Sequence, residues 1–203
     1  MVAISVRSNV KQMSKRLKGI QRKQIPFATS LAINDTAFAV RKRIVERTYP
    51  RSFQVRNRRF PGQVFRVKKA TKRRLIGSVY DRLGRASLAL HAKGGTKRPR
   101  GGSLAVPSEN IKRTASGKVG KARRPRNVIQ SGKAFKGKIR KDRPAIFQRT
   151  GSKGRKLKLL YTLEPSARLR ARFPFYRDAA NTARRSFPNN YRRAMRRALK
   201  TAR

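Results

Sequence analysis

After Lys23, apolar residues return every three or four positions. Ile33, Ala37, Val40 and Ile44 step by four, three and four, which is one face of a helix. Phe27, Leu31, Phe38 and Val45 form an adjacent stripe. Pro26 suits a first helical turn and Tyr49-Pro50 ends the pattern, so the spacing predicts a well-buried helix over 26–47. No Lys or Arg falls between Lys23 and Arg41. Earlier in the chain, Val10, Met13, Leu17 and Ile20 step by three, four and three, with Lys11, Lys15, Arg16 and Lys18 on other faces. This predicts a shorter amphipathic helix that Gly19 weakens at its end.

The period then shortens. Leu75-Ile76-Gly77-Ser78-Val79-Tyr80 and Ser87-Leu88-Ala89-Leu90-His91 read as two short strands about a turn at 81–85. Pro144 opens a second pair, 145–149 and 156–163, joined by the turn-like Thr150-Gly151-Ser152-Lys153-Gly154-Arg155 as a hairpin. At the end, Phe175, Ala179, Ala183 and Phe187 are spaced by four, as on a helix. Pro188 interrupts, and Tyr191, Ala194, Met195, Ala198 and Leu199 resume one face. Between 94 and 143 no period survives the paired glycines and Pro99, Pro107 and Pro125. An unpatterned stretch of that length reads as an extended basic arm anchored at both ends.

The predicted class is α+β, with N-terminal and C-terminal helices packed on a small antiparallel sheet and a long basic arm. The expected division is 1–93 for the helical front and first strands, 94–143 for the arm, and 144–203 for the hairpin and terminal helix. These make one compact domain plus an arm.

Charge changes the picture most. The chain holds 57 Lys and Arg against 7 Asp and Glu, a net charge of +50 on 203 residues. Self-repulsion at that density destabilises a compact state unless a polyanion neutralises it. Cysteine is absent, which excludes disulfides, thiolate metal sites and a cysteine nucleophile. No apolar run approaches the ~18 residues of a membrane span, so no membrane partner is expected. The first residues lack a signal peptide's charged head, apolar middle and cleavage site.

Catalysis is not expected. The acids Asp35, Glu46, Asp81, Glu109, Asp142, Glu164 and Asp178 are scattered, with no paired acid and base and no acidic metal cluster. His91 stands alone and reads as a strand-end histidine. Gly151-Ser152-Lys153-Gly154 lacks phosphate-loop spacing and reads as a hairpin turn. The chain therefore calls for no cofactor, metal or catalytic residue.

The positive signal is the arm. Its basic clusters hold Arg98 and Arg100, then Lys121, Arg123, Arg124 and Arg126, then Lys136, Lys138, Arg140 and Lys141. The terminal helix adds Arg192, Arg193, Arg196 and Arg197. Such residues neutralise phosphates without reading base sequence, and they equally suit an acidic protein partner. Phe135 is the arm's only aromatic, which disfavours a stacking platform for single strands.

Several segments together carry a resemblance. They are Ser30-Leu31-Ala32-Ile33-Asn34-Asp35-Thr36-Ala37, Lys69-Ala70-Thr71-Lys72-Arg73-Arg74-Leu75 and Gly102-Ser103-Leu104-Ala105-Val106-Pro107. Pro144-Ala145-Ile146-Phe147-Gln148-Arg149, Leu159-Leu160-Tyr161-Thr162-Leu163-Glu164-Pro165-Ser166 and the basic terminal helix follow. In that order the chain resembles the minor tail protein Z (tail completion) family of long-tailed bacteriophages and prophages. The resemblance implies a non-enzymatic virion protein at the head-proximal end of the tail, made in the host cytoplasm. It further implies a homo-oligomeric ring, sixfold, that meets other tail or neck proteins where double-stranded genomic DNA passes. Composition alone also admits a ribosomal or nucleoid protein.

Overall fold

The structure, a computed structural model, describes residues 3–7, 20–84, 86–99, 101–140, 143–151 and 154–200. In chain order the elements begin with β1 (Ala3–Arg7), α1 (Ile20–Arg43), a π-helical turn (Ile44–Thr48), α2 (Tyr49–Ser52) and α3 (Phe60–Val64). Then come β2 (Phe65–Lys68), β3 (Ile76–Asp81), α4 (Ala86–Lys93), β4 (Gly95–Lys97) and β5 (Leu104–Pro107). A 3-10 turn (Lys121–Arg123), α5 (Pro125–Gln130), β6 (Phe135–Lys138), β7 (Pro144–Thr150), β8 (Lys156–Glu164), β9 (Ala167–Leu169) and α6 (Phe175–Lys200) complete the chain. The class is α+β. The chain forms two compact units, residues 1–94 with 170–203, and residues 95–169.

In the first unit, β1, β3 and β2 form an antiparallel sheet in that order. The predicted face of α1 is buried throughout: Ile33, Ala37, Val40 and Ile44 are 0–2% exposed. Ala37, Val40 and Ile44 enter a core with Val64, Phe65, Val79 and Phe175. Aromatic rings dominate this core, with Phe65 stacked on Phe175 at 5.8 Å and Phe173 at 6.0 Å from Phe65. Each such ring, fully buried, stabilises the fold by ~1.5–3 kcal/mol. A second face of α1 meets α6 through Ala28, Ala32, Ala194 and Ala198, all nearly inaccessible.

Polar side chains tie the unit together. The Asn34 amide reads the Ala70 backbone in both directions, Nδ2 donating to Ala70 O at 3.0 Å and Oδ1 accepting from Ala70 N at 2.7 Å. Arg41 donates to Phe65 O and Gly62 O at 2.7 and 2.6 Å, joining α1 to the start of β2. On α6, Asn190 donates to the Thr36 hydroxyl at 3.0 Å and Arg193 pairs with Asp35 at 3.0 Å.

Several sequence expectations need correction here. The helix starts earlier than Pro26, which lies inside it near its N-terminal end. A proline there removes only one helical hydrogen bond. Tyr49-Pro50 does not stop the helical path, because Pro50 occupies the first turn of α2, where its missing N–H does no harm. Phe38 is 45% exposed and leaves the predicted stripe, with the Lys69 ammonium 5.6 Å from its ring. Residues 87–91 are helix within α4, not strand. Helical geometry puts Leu88, Ala89 and Ala92 together against the core, and Gly94, at φ +79°, closes the helix by donating to Leu90 O at 2.7 Å. Pro188 does not interrupt α6. Packing holds the helix on both sides of it, Phe175 and Ala179 in the aromatic core and Ala194 and Ala198 against α1. The predicted helix around Val10 to Leu17 lies outside the described residues.

The largest correction concerns 94–143, which is not an extended arm. Strands β5, β8, β7 and β6 form a four-stranded antiparallel sheet, and β4 pairs with β9. Ile111, Val128 and Ala134 from that segment bury together with Ile146, Leu160 and Tyr161. The unit thus owns a core. The predicted hairpin is its centre, β7 and β8, with a bulge between Ile146 and Phe147. The boundary expected at 143/144 accordingly runs through a continuous sheet.

The sheet of the first unit tests the packing. A Cβ added at Gly77 would meet Ile33 Cγ2 at 2.7 Å, whereas one at Gly101 meets nothing within 4 Å. Gly77→Ala should therefore destabilise the protein by ~1–3 kcal/mol in denaturant unfolding, through overpacking, while Gly101→Ala stays near neutral. Equal stability of the two variants would refute the contact.

Candidate functional site

Most of the basic residues singled out from sequence are exposed on the folded units. Arg98, Lys121, Arg123, Arg124, Arg126, Lys136, Lys138 and Arg140 are exposed on the second unit. On α6 of the first unit, Arg192, Arg193, Arg196 and Arg197 are exposed as well. Arg100 and Lys141 lie outside the described residues. Among the described residues, the three ion pairs use only two acids, Asp178 and Asp35. The positive charge is therefore left facing outward rather than neutralised within the fold.

The residues 121–126 form a shaped turn. A 3-10 turn leads into α5, whose Pro125 sits in the first helical turn. Asn127 Nδ2 donates to Lys121 O at 2.8 Å and closes the turn from below. Tyr161, on β8, donates its hydroxyl to Arg123 O at 2.5 Å. The Arg123 guanidinium donates to Lys112 O at 3.1 Å, so of this group it is the one fixed to the backbone. Burial raises the Tyr161 hydroxyl above the ordinary tyrosine pKa, opposed in part by the Arg113 charge.

Lys136 and Lys138 alternate with Phe135 and Gly137 on the edge strand β6. The Phe135 ring lies 6.1 Å from Phe147 and carries the Arg149 guanidinium at 5.2 Å. The structure thus gives Phe135 an aromatic neighbour and a cationic cap that spacing alone did not reveal.

A basic cleft in the first unit was not anticipated. It encloses about 650 Å³ between the segment from Arg43 to Arg51 and the N-terminal half of α6. Arg43, Arg51, Arg177 and Arg185 line it, together with the 8% exposed Asp178. Thr48 Oγ1 donates to Asp178 Oδ2 at 2.9 Å. Arg51 Nη2 reaches the same oxygen at 3.4 Å, and Arg177 Nε reaches Oδ1 at 3.3 Å. The π-helical turn shapes this wall. Its wider winding buries Thr48, and Arg47 is not among the lining residues although it sits four positions from both Arg43 and Arg51. The opposite wall had a legible signal: Arg177, Asn181 and Arg185 recur every four residues on one helical face.

A second hollow, of about 470 Å³, shares Arg51 and Arg177 and adds Arg172. Arg172 lies over the Phe53 ring at 5.7 Å. His91, read from sequence as a strand-end residue, is on helix α4 instead and contacts Phe53 edge-on at 5.2 Å. Its backbone carbonyl accepts from Arg172 N and Phe173 N, both at 2.9 Å. Among the described residues no three His, Asp or Glu side chains gather as a metal site, and no helix is long and apolar enough to cross a membrane.

Comparisons with protein-family models, with curated proteins and with solved structures give no match.

Tyr161 offers a test of how the 121–126 turn is held. Tyr161→Phe leaves Arg123 O without this donor and should cost ~0.5–1.5 kcal/mol at neutral pH. Because the folded hydroxyl titrates above its unfolded value, this stabilisation is fully present below the ordinary pKa of ~10 and is lost as pH rises through the folded value. Unfolding free energies measured across the alkaline range should show wild type and variant converging. A gap that stays constant with pH would contradict the assignment.

Proposed function

We propose that this chain is a structural virion protein of a bacteriophage tail or neck. It completes the head-proximal end of the tail and contributes to head–tail joining and to passage of genomic DNA. It acts by assembly, with no bond made or broken, as copies in a sixfold ring that meet tail or neck neighbours in the virion. Assembly of that ring begins in the host cytoplasm.

The observation that carries this reading is how the segments behind the resemblance pair with one another. In the first unit, the 30–37 segment meets 69–75 through the Asn34–Ala70 bonds, and meets the terminal helix through Asn190–Thr36 and Arg193–Asp35. In the second, 102–107 pairs along 159–166 from Leu104↔Glu164 to Pro107↔Tyr161. The 144–149 segment pairs along the other side of the same strand. Segments far apart in sequence thus meet within each unit, which supports reading them together as the parts that carry the resemblance. The outward-facing charge supports contact with a polyanion, and packaged DNA is the polyanion at that position in a tail.

A phage or prophage carrying a stop codon in this gene, complemented from a plasmid, tests the reading. Without complementation, infectious titre should fall by ~100-fold or more, with filled heads and tails still visible by electron microscopy but not productively joined. Normal titre without the protein, or its recovery with ribosomes rather than particles, would overturn the reading.

A further inference from the structure

The cleft beside Asp178 is built but unpaired. The side chains of Arg43, Arg185 and Asn181 have no hydrogen bond or ion pair with another described residue, although all three line the cleft. Asp178 is already satisfied by Thr48 and by its two arginine neighbours. Four guanidiniums against one carboxylate leave the lining with a strong positive excess.

We infer that this cleft seats the sugar–phosphate backbone of a nucleic-acid strand. A phosphodiester would lie between the Arg43–Arg51 wall and the Arg177–Arg185 wall and continue past Arg51 and Arg177 toward Arg172. The inference deepens the polyanion part of the function above and does not depend on the virion part.

Three features select a phosphodiester. Guanidinium forks match phosphate oxygens in paired hydrogen bonds, and arginine rather than lysine lines both walls. A phosphodiester keeps two anionic oxygens on a tetrahedral centre, one for each wall, and its ester links carry the next phosphate along the groove at a fixed spacing, which a side-chain carboxylate does not do. The two hollows share Arg51 and Arg177, so the cations follow one another as the charges of a strand do. The groove offers no ring for base stacking, since Phe173 is 1% exposed in the core and Phe53 is covered by Arg172. Recognition there is of backbone, without base preference.

Asp178 acts as a positioning residue. Its carboxylate, held by Thr48, sets Arg51 and Arg177 on either side, both guanidinium-bearing side chains remaining more than 60% exposed. That arrangement fixes direction while leaving the remaining N–H groups open to a ligand.

Arginine footprinting on the full chain tests this. Phenylglyoxal modification, read by mass spectrometry, is compared without ligand, with a duplex oligonucleotide and with poly-glutamate at matched charge. The duplex should slow modification of Arg43, Arg51, Arg177 and Arg185 by about tenfold, while Arg47 and Arg184, on the same segments but outside the cleft, react as before. Unchanged reactivity of the four with duplex would overturn the inference, and so would protection by poly-glutamate as strong as by duplex, which would assign the cleft to an acidic protein. A variant with all four changed to Ala, checked for an unchanged melting profile, should bind duplex with a salt slope shallower by ~0.9 for each arginine on a phosphate. An unaltered slope would also overturn it. Should that variant not fold, the wild-type footprint decides alone. Failure here with the expected particle phenotype intact would remove the cleft and leave the virion role standing.

Discussion

The first unit depends on one close approach between two helices. Ala28 and Ala32 of α1 meet Ala194 and Ala198 of α6, and nothing larger would allow the backbones so near. Phe27, Leu31, Phe187, Tyr191 and Met195 fill the borders of the seam. α1 is at the same time pressed on the sheet and the aromatic core, so between Gln24 and Val40 its residues are buried or half-buried with the exception of Phe38. That is the physical reason its sequence avoids Lys and Arg between 23 and 41 while the chain as a whole carries +50. A lysine or arginine on the buried faces of this helix would lack a partner and cost more than the helix could return, whereas Asp35, at the border of the seam, keeps its side chain 41% exposed and pairs with Arg193. The same seam fixes the line of α6 and thereby places Asp178 under Thr48.

The helical face of α1 was legible because its burial is continuous and its period uninterrupted. Strand β3 was legible from its regular alternation of buried positions, and β7 and β8 from apolar runs on either side of a turn, although Leu157 of β8 is 56% exposed. Failures came where a neighbour overruled the local pattern. Leu88 and Leu90 alternate like a strand, yet the core accepts Leu88 with Ala89 and Ala92, a helical set. Pro188 reads as a break, yet packing on both sides carries α6 through it. In the second unit the core residues Ile111, Val128 and Ala134 stand alone or in apolar pairs, Val128 with Ile129 and Ala134 with Phe135, among polar residues and cations. No long period exists to find there, because Val128 comes from the short helix α5 while Ile111 and Ala134 come from the irregular segments on either side of it.

The candidate site divides in the same way. The exposed clusters were visible as composition, since a run such as 121–126 stays at the surface however it folds. The arginine cleft was not, because its walls come from residues more than a hundred positions apart and from a π-helical turn that shifts one wall out of the ordinary helical repeat. Composition locates cations; only the fold decides which of them face each other across a groove.

The pairing of β4 with β9, Gly95 to Leu169 and Lys97 to Ala167, joins the two places where the chain leaves the first unit and comes back to it. To complete itself, the first unit must bring α6 to α1 across everything between them, a closure whose entropic penalty grows only slowly with the length enclosed. A ribbon that already holds the two crossing points side by side removes most of that length from the problem. The first unit can then close as though its two stretches were separated by a short link. The closure penalty falls instead on the ribbon, and because it grows only slowly with the length enclosed, a longer second unit would add little to it.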